Sequence, residues 1–267
     1  MIKKLILIPS ILLLLVISAQ AKEKVQTFKT DSYTDIFISS QKADITVVPE
    51  VGAESSVTWR SLLCSMTLKR PSENVVEIVI EPKKQRALFK KILMIPRSRC
   101  SVKLQAGENK HIYASSQTGD IRFFSINSKT ARAYTGQGVI ETSDIGGNFT
   151  AETLTDRITI RNFKGKDLSL KTVSGNVSVT GSAEDINILN TSGGSKMTGS
   201  AENLMFYSSQ GKLSARWTAL PKNPLSISAH SFSGDIKVYL PKLEENYKKN
   251  SKIDLKTFYG EASVEEK

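Results

Sequence analysis

Residues 172–179 read Thr172-Val173-Ser174-Gly175-Asn176-Val177-Ser178-Val179, and residues 231–238 repeat the phrase as Ser231-Phe232-Ser233-Gly234-Asp235-Ile236-Lys237-Val238. We use the glycine of this phrase as the anchor that sets the register of each copy. The anchor position recurs at Gly119, Gly138, Asp156, Gly175, Gly193, Gly211, Gly234 and Gly260. Successive anchors are 18 or 19 residues apart as far as Gly211, and the last two spacings are longer. A fixed period of this size indicates a repeat architecture.

Apolar residues occupy fixed places around the anchor. The residues seven and five before it are apolar in every copy, and those two and four after it are mostly apolar. A spacing of two is the periodicity of a β-strand with one buried face, so each copy predicts two short strands with a corner between them. The sequence therefore predicts an all-β fold: a β-solenoid, that is, a parallel β-helix-like stack of about eight coils. An ordinary β-sandwich is the alternative, but its turns recur about every 8 to 12 residues.

The corner has a chemistry of its own. Three residues before the anchor, the side chain is always small and polar. The residues at this position are Ser116, Thr135, Thr153, Thr172, Asn190, Ser208, Ser231 and Thr257. Stacked at one corner, these side chains predict a ladder that satisfies main-chain groups where the chain turns. Glycine at the anchor predicts a positive φ, with Asp156 as a tolerated exception.

The N-terminal part of the chain follows the pattern only in places. With Ala43 as anchor, Ile36, Ile38, Ser40, Ile45 and Val47 fall in the expected positions. Residues 57–104 break the period with irregular β-rich segments. We therefore expect a signal peptide at 1–21, an N-terminal β region at 22–111 with a first repeat-like coil and an irregular insert, and the solenoid at 112–267.

The first residues predict export. Lys3 and Lys4 precede an apolar run, and an Ala-x-Ala cleavage motif ends at Ala21. This order is typical of a secretory signal peptide. A membrane anchor is the alternative, but the run is shorter than the ~20 residues that span a bilayer. The expected location is outside the cytoplasm, in the periplasm, on the outer surface or in the medium, with no transmembrane segment after cleavage.

Positive charge is concentrated in one segment of the insert. Its eight basic residues, with no acid among them, are Lys83, Lys84, Arg86, Lys90, Lys91, Arg97, Arg99 and Lys103. The formal charge is +11, two signal-peptide lysines leave +9, and these eight leave +1 for all other residues. The segment predicts binding to an anionic envelope surface, either lipid headgroups or glycans, or to a cell-surface protein. The alternative is a solvated loop. Nucleic acid is not an expected partner of an exported chain.

The chain has two cysteines, Cys64 and Cys100. Export places them in an oxidising compartment, where a disulfide between them is expected.

Catalytic patterns are missing from the sequence. The two histidines, His111 and His230, flank inward positions and should face outward. Asp120, Asp235 and Glu261 share the position after the anchor, and we expect them not to be adjacent along the stack because other residue types occupy the coils between. We therefore expect no enzyme, no cofactor and no metal, and a binding or scaffolding role. A carbohydrate-active β-helix enzyme and an accessory factor in envelope-stress signalling are the alternatives.

The repeated phrases also resemble a known family. Ser174-Gly175-Asn176-Val177-Ser178-Val179 and Ser233-Gly234-Asp235-Ile236-Lys237-Val238-Tyr239-Leu240-Pro241 resemble the bacterial putative adhesin family and are similar to the head domain of putative autotransporter adhesins. The resemblance spans about residues 33–264. It implies a β-solenoid at the cell envelope or surface and supplies no catalytic residues.

Overall fold

The computed structural model describes residues 23–29, 33–50, 54–60, 64–82 and 100–266. Strands make up nearly all of these ranges. The first nine are β1 (Glu23–Lys29), β2 (Asp35–Ser40), β3 (Ala43–Pro49), β4 (Glu54–Arg60), β5 (Cys64–Ser72), β6 (Val75–Pro82), β7 (Cys100–Ala106), β8 (His111–Ser116) and β9 (Ile121–Phe124). The others are β10 (Asn127–Thr135), β11 (Ile140–Ser143), β12 (Gly146–Thr153), β13 (Ile158–Thr172), β14 (Val177–Trp217), β15 (Ser226–Ser233), β16 (Ile236–Leu240), β17 (Lys252–Tyr259) and β18 (Ala262–Glu266). One short helix, α1 (Glu245–Asn250), lies between β16 and β17.

The strands stack in parallel, coil upon coil, with the register that the repeat predicts. On the first sheet Ile112 of β8 lies beside Ala131 of β10, which lies beside Phe149 of β12. On the second sheet Ile121 of β9 lies beside Ile140 of β11. Both sides belong to one 18-stranded sheet that follows the coils, and we call its two sides the first and the second sheet. The prediction of an all-β solenoid is confirmed.

A single apolar core runs along the stack between the two sheets. The four inward positions of the coil anchored at Gly175, held by Leu168, Leu170, Val177 and Val179, are all buried. Phe123 of one sheet meets Phe149 of the other edge to face, with ring centroids 5.5 Å apart. The strand periodicity in the sequence therefore identified the core directly.

The insert is more regular than its sequence predicts. β2 lies between β6 and β8, and β3 lies between β7 and β9, all in parallel. Strands β6 and β7 therefore form an outermost coil of their own. The expectation that residues 57–104 break the repeat is wrong for these two strands. The parallel pairing of β8 also continues across residues 111 and 112, the expected boundary between the N-terminal β region and the solenoid. These two regions therefore share one stack.

Antiparallel strands cover the outermost coil. β5 pairs with β6, β4 pairs with β7, and β1 pairs with β4, all antiparallel. The inward side chains of β6 and β7 are buried as a result, Ile78 and Leu104 among them. This end of the stack thus has a different strand arrangement from the repeats.

The polar ladder at the corner is confirmed. The Ser116 hydroxyl accepts the Gly119 N–H at 2.9 Å and donates to the Ala43 carbonyl of the preceding coil at 3.0 Å. Thr135 donates to the Gly119 carbonyl at 2.9 Å, and Ser231 donates to the Gly211 carbonyl at 3.0 Å. Each of these three hydroxyls therefore bonds to the main chain of the preceding coil.

The reason for glycine at the anchor differs from the expected one. Only Gly193, Gly234 and Gly260 among the anchors have a positive φ. At Gly119 a Cβ atom would lie 1.9 Å from the Ala43 carbonyl oxygen, and at Gly175 it would lie 1.8 Å from that of Asp156. The close approach of stacked main chains, rather than an unusual φ, excludes a side chain at these two anchors.

Candidate functional site

The basic segment leaves and re-enters the fold at one corner of the outermost coil. Ile80 of β6 lies beside Ser40, and Cys100 of β7 lies beside Ala43. In the neighbouring coil two residues, Gln41 and Lys42, connect these positions. The residues at 83–99 are thus an insertion into a corner that the adjacent coil makes with a short turn.

Of the eight predicted basic residues, Lys103 is described and lies exposed on β7. The other seven, Lys83, Lys84, Arg86, Lys90, Lys91, Arg97 and Arg99, lie outside the described residues, as does the predicted signal peptide. Lys103 lies beside Thr46 and Thr58 in the strand register, so its own neighbours bring no acid next to it.

The two cysteines lie at the base of this segment. Cys64 begins β5 opposite Pro82, the last residue before residues 83–99, and Cys100 is the first residue after them. Their Cα atoms are 6.3 Å apart and their sulfur atoms are in contact. This Cα separation lies in the range that a disulfide spans. The cysteine pair thus joins β5 to β7 at the point where the basic segment departs.

A shallow groove of about 550 Å³ lies on the outer face of the first sheet. The rings of Phe37 and Tyr113 stack with centroids 4.5 Å apart, and the Arg132 guanidinium lies 5.6 Å from the Tyr113 centroid. Because the two rings are stacked and the guanidinium lies against the Tyr113 ring, the edges of these groups point toward the groove. Sequence reasoning missed this feature, although aromatic residues at outward positions of successive strands are its visible signal.

The opposite wall of this groove carries an ion pair. Lys171 Nζ lies 2.8 Å from Glu152 Oε1, and this hydrogen bond raises the pKa of the lysine above its ordinary value. This part of the groove is thus bordered by an ion pair that joins two adjacent coils.

The acids after the anchor correct one sequence expectation. Asp235 and Glu261 lie on successive coils, and so do Asp44 and Asp120, which are in adjacent coils because β3 pairs with β9. Asp235 Oδ1 accepts the Glu261 N–H at 3.3 Å, and Asp44 Oδ1 accepts the Asp120 N–H at 2.9 Å. Adjacent carboxylates therefore do occur, and they serve as acceptors for the main chain of the next coil.

The charge state of Asp235 agrees with this structural role. The hydrogen bond from the Glu261 N–H, followed by that from Lys212, lowers the pKa of Asp235 below its ordinary value. A lowered pKa keeps the carboxylate ionised, whereas a general acid needs a raised one.

The histidines occupy outward positions, as the sequence predicts. His230 Nε2 lies 3.2 Å from Asp254 Oδ2. Lys256, and after it His230, lower the pKa of Asp254. Within the described ranges, no group of three or more His, Cys, Asp or Glu side chains is arranged to hold a metal ion. The same ranges contain no helix that is both long and apolar enough to cross a membrane.

Comparison with known proteins assigns the family. The Toastrack DUF4097 family model matches residues 33–267. The chain belongs to the Toastrack DUF4097 family. The match begins just before β2, the first strand of the repeat register, and it confirms the resemblance drawn from the repeated phrases. No curated protein sequence matches this Toastrack chain.

Solved structures of similar fold come from species of Bacteroides, Parabacteroides and Clostridium. A putative adhesin from Bacteroides fragilis NCTC 9343 is 15% identical, with a TM-score of 0.42 over 92% of this chain and 97% of that chain. A putative lipid binding protein from Parabacteroides distasonis ATCC 8503 is 14% identical, with a TM-score of 0.38 over 92% and 97%. A putative cell adhesion protein from Clostridium sporogenes ATCC 15579 is 11% identical, with a TM-score of 0.37 over 92% and 99%. Identities and scores this low carry no functional information about this Toastrack chain.

Proposed function

We propose that this Toastrack solenoid is exported and that it binds an anionic surface of the cell envelope, without catalysis, through the basic segment of residues 83–103. The supporting observation is the way the segment is held. Residues 83–99 of the segment are inserted between Pro82 and Cys100 of one coil, Lys103 follows on β7, and a cysteine pair lies at the base of the insertion. Both flanks of the insertion are thus fixed at one corner, and charges that are near one another in the sequence act together on an anionic surface.

The distribution of charge supports the same role. Eight basic residues occur without an acid, and the rest of the exported chain sums to +1. Elsewhere many described cations are paired with acids, such as Arg122 with Asp120 at 2.9 Å and Lys248 with Glu266 at 3.0 Å. Surplus positive charge is therefore local, and a local surplus favours a partner with dense negative charge.

Phosphate is the chemistry that this surplus fits, whether it belongs to a phospholipid headgroup or to a phosphorylated glycan. Each basic side chain near an anionic membrane contributes about 1 kcal/mol, and the attraction fades within a Debye length of about 8 to 10 Å. Four lysines would thus contribute about 4 kcal/mol, or nearly a thousandfold in affinity.

The test is co-sedimentation with vesicles of phosphatidylglycerol and phosphatidylcholine, in parallel with purified lipopolysaccharide. Replacing Lys83, Lys84, Lys90 and Lys91 by Gln should abolish most binding at low salt. The matched control replaces the exposed lysines Lys129, Lys164, Lys196 and Lys222 by Gln, which removes the same charge from other coils and should leave binding near the parental level.

The two arms distinguish the sources of phosphate. Binding to vesicles alone identifies lipid headgroups, and binding to lipopolysaccharide alone identifies the glycan and its phosphates. Equal binding by both quadruple variants would show that total charge, rather than the basic segment, governs the interaction. Absence of binding in both arms at low salt would leave the basic segment as a solvated loop.

A further inference from the structure

The last coil of the stack has two unpaired edges. In the part of the chain that the structure describes, β17 pairs only with β15, and β18 pairs only with β16. The Lys252 N–H donates to the Leu225 carbonyl at 2.7 Å, so alternate residues of β17, Ile253 and Leu255, direct their main-chain groups away from β15. Unpaired edges of this kind form hydrogen bonds readily with another strand.

The second sheet shows the same pattern. The Ile236 N–H donates to the Glu261 carbonyl of the next coil at 2.8 Å. Ala262 and Val264 hold the equivalent positions in the last coil, where no described strand follows. Both sheets therefore end in strands whose hydrogen-bonding groups face outward along the stack.

Among the described residues, nothing covers the core at this end. Ile253 is 36% exposed and Val264 is 41% exposed, although both occupy inward positions. One coil earlier, Ile227 and Val238 at the same positions are 1% and 0% exposed. The apolar interior thus continues to the end of the stack, where water meets side chains that the other coils bury.

Three aromatic side chains extend this surface at the corner. Phe232 and Phe258 stack with ring centroids 5.4 Å apart, and Tyr259 packs edge-on against Phe258 at 4.7 Å. Phe258 is 71% exposed. Exposed, mutually packed aromatic rings are typical of protein interfaces rather than of free surfaces.

The opposite end of the stack differs in every one of these respects. It is covered by antiparallel strands, and the edge strand β5 carries Lys69, Arg70 and Pro71, which are residues that discourage strand addition. The core residues of the outermost coil there are buried. If copies of the chain stacked head to tail, the open end of one copy would meet the covered end of the next. The open end therefore matches another open end better than it matches the covered end.

We propose that the open end, formed by β17, β18 and the aromatic corner, joins the same surface of a second copy of this chain to give a two-fold dimer. The chain runs along β17 toward the corner and along β18 away from it. A two-fold axis through the corner therefore places β17 of one copy antiparallel to β18 of the other, on both sides at once.

The charges of the two strands agree with this arrangement. β17 carries Lys252, Asp254 and Lys256, a net charge of +1, and β18 follows Glu261 and carries Glu265 and Glu266. Pairing β17 with the partner's β18 brings the basic strand beside the acidic one, whereas pairing each strand with its own copy would oppose like charges. The aromatic corners meet near the axis, where both copies contribute the same rings.

The test is sedimentation velocity of the full chain, as its host processes it, over a concentration series without lipid or glycan. The parent should dimerise. Phe258→Ser should raise the dimer dissociation constant by about tenfold or more, because an exposed aromatic ring near the axis acts twice. Tyr207→Ser, an equally aromatic and 57% exposed site on the outer face of β14, is the control and should leave the constant unchanged.

A second variant tests the strand pairing, and a third tests the symmetry. Ala262→Lys places a charge on an exposed inward position of β18 and should give a monomer with the parental unfolding temperature. Tyr259→Cys should form an intermolecular disulfide on oxidation, since the axis brings the two corners together, whereas Tyr207→Cys should not.

A monomeric parent at about 100 µM, or a dimer unaffected by both Phe258→Ser and Ala262→Lys, would overturn the proposal. Because lipid and glycan are left out, this outcome is independent of envelope binding.

Discussion

The Ser116 hydroxyl donates a hydrogen bond to the main-chain carbonyl of Ala43, 73 residues earlier in the chain, at 3.0 Å. Ser116 also accepts the N–H of Gly119, so one buried hydroxyl joins two coils that the insert separates in sequence. A buried group that satisfies two others is costly to remove, because both are left without a partner away from water.

Ser116→Ala should therefore lower the free energy of unfolding by about 1 to 3 kcal/mol. Ser208→Ala is the matched control, since Ser208 holds the same buried position in another coil and its hydroxyl has no hydrogen-bond partner among the described residues. Its replacement should change stability by less than about 0.5 kcal/mol. Urea denaturation of both variants measures the difference. Equal losses would show that the ladder contributes through packing rather than through hydrogen bonds.

The register of the core gives a second prediction. Val177 is buried, and Asn176, one residue earlier, accepts the Gly194 N–H through Oδ1 at 2.8 Å. Val177→Asp places a charge in the core and should cost several kcal/mol, melting neighbouring coils. Asn176→Asp keeps an acceptor oxygen in place and should be nearly silent. Thermal unfolding of the pair tests this, and similar melting temperatures would contradict the register.

The cysteine pair gives a third prediction. A Cys64–Cys100 disulfide would close a loop of residues 64–100 and stabilise the fold by roughly 3 to 4 kcal/mol in the chain-entropy model. Mass spectrometry of the non-reduced protein should find a mass lower than that of the reduced chain by two hydrogen atoms. Two alkylated thiols after denaturation without reductant would exclude the bridge. The double variant Cys64→Ser, Cys100→Ser should unfold at lower urea than the parent and should respond no further to reductant.

Acid should loosen the last coil first. The pKa of Asp235 is lowered in the fold by the Glu261 N–H and by Lys212. A carboxyl group with a lowered folded-state pKa stabilises the fold above its unfolded-state value, and this contribution is lost as the pH falls through the folded-state pKa. Amide exchange in β18 should therefore rise below the ordinary pKa of 3.8. Asp235→Asn keeps an acceptor without a charge, so its β18 exchange should depend less on pH in that range. An unchanged pH profile in this variant would assign the effect to another group.

The repeat positions were sufficient to predict the strands, the core and the polar ladder. Inward residues such as Leu168 and Val177 recur at fixed distances from the anchor, and each coil contacts mainly its neighbours, so a local pattern carries most of the structure. The family and the solenoid fold both follow from this repetition.

The remaining features depend on contacts that no local pattern encodes. β6 and β7 form a coil only because the chain turns back to stack below β2 and β3, and the residues between them hide the period. A second corner six residues after the anchor uses positive φ at Ser125, Asp144, Asn162, Gly181 and Gly199, and the three coils without a glycine there hid it from the sequence pattern. The candidate site was predictable as a charge cluster. Its position at a corner next to the cysteine pair required the strand register.

The strand register also defines the most direct test of the proposed binding role. Ile80, Glu81, Pro82 and Cys100 match Ser40, Gln41, Lys42 and Ala43 of the adjacent coil if residues 83–99 are removed. Deleting residues 83–99 should therefore leave a regular corner and an intact stack. We expect the deletion variant to unfold at close to the parental temperature and to lose binding to phosphatidylglycerol vesicles and lipopolysaccharide at low salt. A folded deletion variant that binds either of them as tightly as the parent would contradict the account.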